Sequence, residues 1–177
     1  MAGYNDEKPA SLLTRARPFL YGFVFVLIFC LTGTELGLVS HILHTWGNNP
    51  ADYPTAEFKN ILGLMLFTCI ASLLYILSHP WSSVGFSAFW TFVFATFWAV
   101  SAGVLNRVVP FEVSKCAEPA SDFAPVWTAW LSWCHELVAL QGIAWALWGV
   151  YMIKLVGMLM ELFDIRRKHP KPFYERV

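Results

Sequence analysis

A carboxyl group set among apolar residues is the first feature of this sequence that could carry chemistry. Glu35 lies about 25 Å along a helix from Pro18. An ionisable side chain at such depth in an apolar span is costly and marks a functional position by default. Ser101 falls at a similar height on a later span, and Gln141 falls nearer the outer surface. Glu35, Ser101 and Gln141 are therefore expected to form an intramembrane polar clasp, with a proton or ligand site, or water exposure near the outer interface, as the alternatives. Lys154 lies about 12–15 Å inside the last span by the same rise. Its stem is long enough to snorkel to the headgroups, where Glu161 or Asp164 could meet it.

Other reactive side chains point less directly to a site. His41 and His44 are three apart, and His135 and Glu136 are adjacent further on. Such groups ligate zinc when they converge, but nothing in their spacing brings them together. No metal site, catalytic residue or cofactor is expected. Cys30 and Cys69 lie inside apolar spans and read as small packing residues. Cys116 and Cys134 fall within one loop, where an oxidising compartment would permit a disulfide. Neither belongs to a C-x-x-C pair, which argues against a dithiol redox enzyme.

The elements that must position these groups follow from composition. Hydrophobic residues make up 57% of the 177 positions and charged residues 14%. Soluble domains carry about 25% charged residues. Apolar runs long enough to cross a bilayer occur at about 19–44, 61–77, 84–105 and 137–162. Backbone polar groups must be satisfied internally in lipid, and the runs are too long and continuous for barrel strands. The expected fold is all-α, a four-transmembrane-helix bundle. Residues 1–17 form an N-terminal tail, 18–163 the membrane domain and 164–177 a basic tail. The formal net charge is zero, and nothing suggests nucleic acid.

Charge also orients the bundle. Lys8, Arg15 and Arg17 precede the first span, and Arg166, Arg167, Lys168, Lys171 and Arg176 follow the fourth. The connections on the other side carry Lys59, Arg107 and Lys115. The positive-inside rule places both termini in the cytoplasm. The second outer loop, about 106–133, is the longest. In it Trp127, Trp130 and Trp133 recur every third residue after Pro125. A short interfacial helix is expected there, with the three tryptophans anchoring it at the membrane surface. Gly33 and Gly37, Ala95, Ala99 and Gly103, and Gly142 and Ala146 are small residues four apart, a spacing that lets helices approach closely. That pattern suits packing within the chain or self-association. The chain ends Tyr174-Glu175-Arg176-Val177, which has the tyrosine-x-x-hydrophobic form of an endocytic sorting signal.

Four spans, cytoplasmic ends, a tight turn between the second and third and a long outer loop with two cysteines resemble the MARVEL domain, its fungal members in particular. The stretch Phe89-Trp90-Thr91-Phe92 through Trp98-Ala99-Val100-Ser101-Ala102 is similar to theirs. So is Cys134 followed by Ala139-Leu140-Gln141-Gly142-Ile143-Ala144-Trp145. The resemblance covers about 13–163. It implies a non-catalytic role in membrane apposition, vesicle trafficking or organisation of plasma-membrane microdomains. Its partners would be membrane lipids, sterol among them, a second copy of the chain or another membrane protein. The location would be the plasma membrane or secretory and endosomal vesicles. The rival classes are a small membrane enzyme or transporter with a site near Glu35, and an accessory subunit of a larger complex.

Overall fold

The computed structural model describes residues 12–168. Tyr174 and Val177 lie outside the described residues. Four long helices make up the fold: α1 (Leu12–Trp46), α2 (Ala56–Ser78), α3 (Val84–Val108) and α4 (Cys134–Lys168). No strand occurs among the described residues. Each helix is long and apolar enough to cross a membrane. The fold is that of an all-α multi-pass membrane protein, and each helix packs on its sequence neighbour while α4 closes on α1. The start of α1 and the end of α4 lie at one end of the bundle, here the tail end. The two long connections lie at the other, the loop end.

The core stripe of each helix has one repeat. On α1 it is Ile28, Thr32, Glu35, Val39 and Ile42, and on α4 it is Leu137, Leu140, Ala144, Leu147, Tyr151, Lys154 and Met158. Steps alternate between three and four residues, as on α3 through Thr91, Phe94, Trp98, Ser101 and Leu105. A repeat averaging 3.5 keeps one seam facing its neighbours when helices wind round each other with a left-handed supercoil.

The helix ends explain where the spans exceed their apolar runs. α2 begins at Ala56 instead of 61 because Thr55 Oγ1 accepts a hydrogen bond from the Phe58 N–H at 3.1 Å. Glu57 in its first turn complements the helix dipole. Gly47 follows α1 with φ +69°, the left-handed conformation that ends many helices, and its N–H reaches the Leu43 carbonyl at 3.0 Å. A tight 3-10 turn, His79–Trp81, joins α2 to α3.

The small residues four apart are mostly not where helices meet. Gly33, Gly37, Gly103, Gly142 and Ala146 are exposed, and a Cβ built at any of the four glycines would meet nothing within 4 Å. Ala95 alone of that set lies in the core, at 2% exposure. The 3.5 repeat puts larger side chains on the seam and turns the glycines outward. Gly33→Ala and Gly37→Ala are therefore expected to leave the melting temperature of the isolated chain unchanged or raise it, since Ala for a mid-helix Gly gains about 0.5–1 kcal/mol. A drop in melting temperature in detergent would contradict the outward placement.

Candidate functional site

The loop end is a closed aromatic cap. The second outer loop runs into a nine-residue 3-10 helix, Pro125–Trp133, which leads directly into α4. At three residues per turn, positions three apart eclipse, so Trp127, Trp130 and Trp133 share a face. That face turns mainly inward. Trp130 is 1% exposed and stacks on Trp46 with centroids 4.2 Å apart. Phe58 meets the edges of Trp127 and Trp130 at 5.6 and 5.2 Å. Trp127 and Trp130 are thus core residues of the cap, a correction to the expected interfacial anchors. Apolar surface from α1, α2 and the first loop was there to bury them. Only Trp133 stays half-exposed, against His41 at 5.2 Å. Cys116 and Cys134 form a disulfide with Cα atoms 5.7 Å apart, tying the long loop to the first residue of α4.

The expected clasp of Glu35, Ser101 and Gln141 is not hydrogen-bonded in this way. Gln141 Nε2 donates instead to Asn106 Oδ1 on α3 at 2.6 Å. The reason is its face: Gln141 lies off the α4 core stripe, in a shallow open groove with Val138, Gly142 and Trp145. Glu35 and Ser101 are both fully buried, and neither carboxyl oxygen of Glu35 nor Ser101 Oγ has a hydrogen-bond partner. Thr32 Oγ1 and Trp98 Nε1 are buried and unpartnered as well.

The clasp that does exist lies towards the tail end, on a residue expected to snorkel. Lys154 is only 4% exposed and sits in the α4 core stripe. Its Nζ donates to Tyr75 Oη at 3.3 Å. It also lies 4.2 Å from the Phe25 ring centroid and 4.6 Å from that of Tyr75. Aromatic faces stabilise a cation most when water is excluded. Tyr75 Oη in turn reaches the Ser87 hydroxyl and Thr91 Oγ1, the latter at 3.0 Å, and Thr91 donates to Met158 Sδ at 3.6 Å. Phe25, Tyr75, Ser87 with Thr91, and Lys154 come from α1, α2, α3 and α4 in turn. One ammonium and one phenol therefore join all four helices. Glu161 is half-buried and makes no ion pair with Lys154. The sequence did carry a signal, because Lys154 falls three residues after Tyr151 and four before Met158 on the core repeat.

His79 borders this clasp at the α2–α3 turn, its ring 4.5 Å from Phe25 and 5.8 Å from Tyr75. Burial, and then the nearby Lys154 charge, lowers its pKa from the ordinary 6.5. The folded protein thus binds this proton less readily than the unfolded chain. Stability is full above 6.5 and is lost as pH falls through the folded value. A melting curve measured against pH should fall on the acid side of 6.5, and His79→Gln should flatten that part of the curve. An unchanged slope in the variant would remove His79 as its source.

His41, His44, His135 and Glu136 do not gather: among the described residues no three His, Cys, Asp or Glu side chains are placed to share a metal ion. Cys69 is buried in the bundle, whereas Cys30 faces outward. The class is thus a four-helix membrane bundle with a disulfide-closed cap and a buried lysine clasp. The chain matches no family model, no curated protein and no solved structure.

Proposed function

We propose that this protein is a non-catalytic membrane organiser that acts through its outer surfaces. The observation that carries the reading is the Lys154–Tyr75 clasp. A charged group inside a membrane bundle usually marks a pathway or a site, but here it joins four helices to one another. That use suits a rigid body whose working parts are its lipid-facing belt and its cap. The belt is bulky and apolar, with Phe19, Phe23, Phe89, Ile153 and Met160 each more than 60% exposed. This is the role implied by the resemblance to MARVEL domains, with lipids, sterol among them, or another membrane protein as partners. A plasma-membrane or vesicular location belongs to the same proposal. The cytoplasmic placing of both ends is supported by the charge asymmetry. It is supported also by the disulfide, which needs an oxidising compartment and so favours the loop end on the outer side.

The test is purification of the full chain in native lipid discs, followed by lipid mass spectrometry and partner cross-linking. Enrichment of a lipid class or a membrane-protein neighbour over a scrambled-belt control is expected. Turnover or flux of a solute by the reconstituted protein, abolished by Glu35→Gln, would overturn the organising role. That second reading, a small carrier or enzyme, is favoured by one observation: the Glu35 carboxyl is buried without a partner.

A further inference from the structure

The groove beside Gln141 has two walls. One is the arm Phe111, Glu112 and Val113, which follows the end of α3, and the other is the α4 face of Gln141, Gly142 and Trp145. The arm is fixed in place. Phe111 is 2% exposed and packs on Phe123 and Trp127 of the cap at 5.3 and 5.5 Å. The 3-10 turn Val113–Lys115 lies against α4, and the next residue, Cys116, is bonded to Cys134. The groove is therefore formed before anything enters it. Its floor is open, because a Cβ built on Gly142 meets nothing within 4 Å and Trp145 is exposed. Its volume, about 280 Å³, is at the small end for a ligand site. It suits part of a lipid, with the remainder lying on the apolar belt.

Depth sorts the polar groups along the groove. Arg107 and Glu57 pair at 3.4 Å with both side chains well exposed. Two exposed charges belong in the polar layer of a bilayer. Asn106, next to Arg107, and its partner Gln141 therefore lie at the edge of the hydrocarbon. The polar layer is about 5–8 Å thick on each side, or about one turn of helix. Within it the exposed Glu112–Lys115 pair, 3.5 Å apart, lies beside the start of α4. Trp145 lies four residues, or about 6 Å, deeper than Gln141. From the loop end inward the groove thus offers a carboxylate with an ammonium, then two amides, then an apolar ring.

We propose that this groove holds one zwitterionic phospholipid from the leaflet at the loop end. Its headgroup meets Glu112 and Lys115, an ester carbonyl meets the Asn106–Gln141 amides, and one chain runs over Gly142 and Trp145. Charge selects the class. An exposed pair such as Glu112–Lys115 is worth little, so it opens readily. A lone anion would take Lys115 and leave Glu112 unpaired beside it, and a lone cation would do the reverse. A phosphate joined to an ammonium serves both. Anionic lipid is disfavoured further by the stretch from Arg107 to Glu136, where Glu112, Glu118, Asp122 and Glu136 outnumber Arg107 and Lys115. Gln141 and Asn106 share a single bond, which leaves an amide donor for an ester carbonyl whichever way the pair is turned. A lipid with one hydroxyl as its head would leave both charged positions unused.

The inference rests on the reading of the protein as a membrane organiser and names the lipid class it holds. Its test is native mass spectrometry of the full chain in detergent micelles. The chain is titrated with phosphatidylcholine, with phosphatidylglycerol of the same chains, and with a sterol. One phosphatidylcholine per chain should be retained, and sterol should not displace it. Phosphatidylglycerol should bind about tenfold more weakly, the effect of losing one charge-assisted contact. Gly142→Phe fills the floor without meeting the core, and it should abolish retention at an unchanged melting temperature. Glu112→Lys should reverse the order of the two phospholipids. Equal retention of both phospholipids by the parent, displacement by sterol, or undiminished retention in Gly142→Phe would overturn the site. Should Gly142→Phe fail to fold, the order in Glu112→Lys still decides the matter. Lipid or partner enrichment in native discs with no lipid retained in the groove would overturn the site alone. No enrichment of any kind would remove the organising role as well.

Discussion

Tyr75→Phe is expected to destabilise the bundle by about 3 kcal/mol, more than removal of the lysine it holds. The phenol oxygen is the hub for Lys154, Ser87 and Thr91. Deleting it leaves an ammonium in the membrane interior with only ring faces around it, and frees two hydroxyls. Lys154→Met acts differently. It fills the same space and withdraws a cation from an apolar interior, which offsets the lost hydrogen bond and ring contacts. Tyr75 keeps its α3 partners in that variant. The net change should lie within about 1 kcal/mol of zero. In the double variant the cost of Tyr75→Phe should shrink, because no charge is left unpaired, giving a coupling of about 1–2 kcal/mol. Denaturation in mixed detergent, followed by tryptophan fluorescence, measures all four corners of the cycle. If Lys154→Met proves the costlier single change, the hub is the ammonium and not the phenol.

Opening the Cys116–Cys134 disulfide should have an effect of similar size. The bond joins residues 18 apart in sequence, and closing a loop of that length stabilises by about 3 kcal/mol in the chain-entropy description. Its place makes the loss local first. Cys134 is the first residue of α4 and follows the helix that carries Trp127 and Trp130. Release should loosen the Trp46–Trp130 stack before it separates α3 from α4. The Cys116→Ser, Cys134→Ala variant should therefore lose near-ultraviolet circular dichroism from the tryptophans at temperatures where helix content is intact. Simultaneous loss of both signals would show that the cap and the bundle melt as one unit.

The sequence made the four crossings legible because the runs 61–77 and 84–105 are uncharged, while 19–44 contains only Glu35 and 137–162 only Lys154 and Glu161. The cysteine pair was legible because one loop held both. The direction of side chains was not. Trp127, Trp130 and Trp133 follow a three-residue period that fits a 3-10 helix, yet the period alone does not say whether that face meets lipid or protein. Gln141 sits at a plausible height for Glu35 but on the wrong face of α4. Lys154 was masked by its own chemistry, since a long stem near a span end suggests snorkelling. The alternating three- and four-residue steps through Tyr151, Lys154 and Met158 instead place it in the core. Height along a helix was a weaker guide than position on that repeat.

The two joined ends have a mechanical consequence. The helices are held at the tail end by Lys154 and Tyr75 and at the loop end by the cap and its disulfide. On α1 the held points are Phe25 and Trp46, 21 residues or about 31 Å apart. A set of rods clamped at both ends cannot hinge or slide apart. It can only bow outward between the clamps, with its greatest amplitude near the middle. Glu35 lies midway along that length of α1, so the part of the molecule freest to swell is the part that holds the carboxyl.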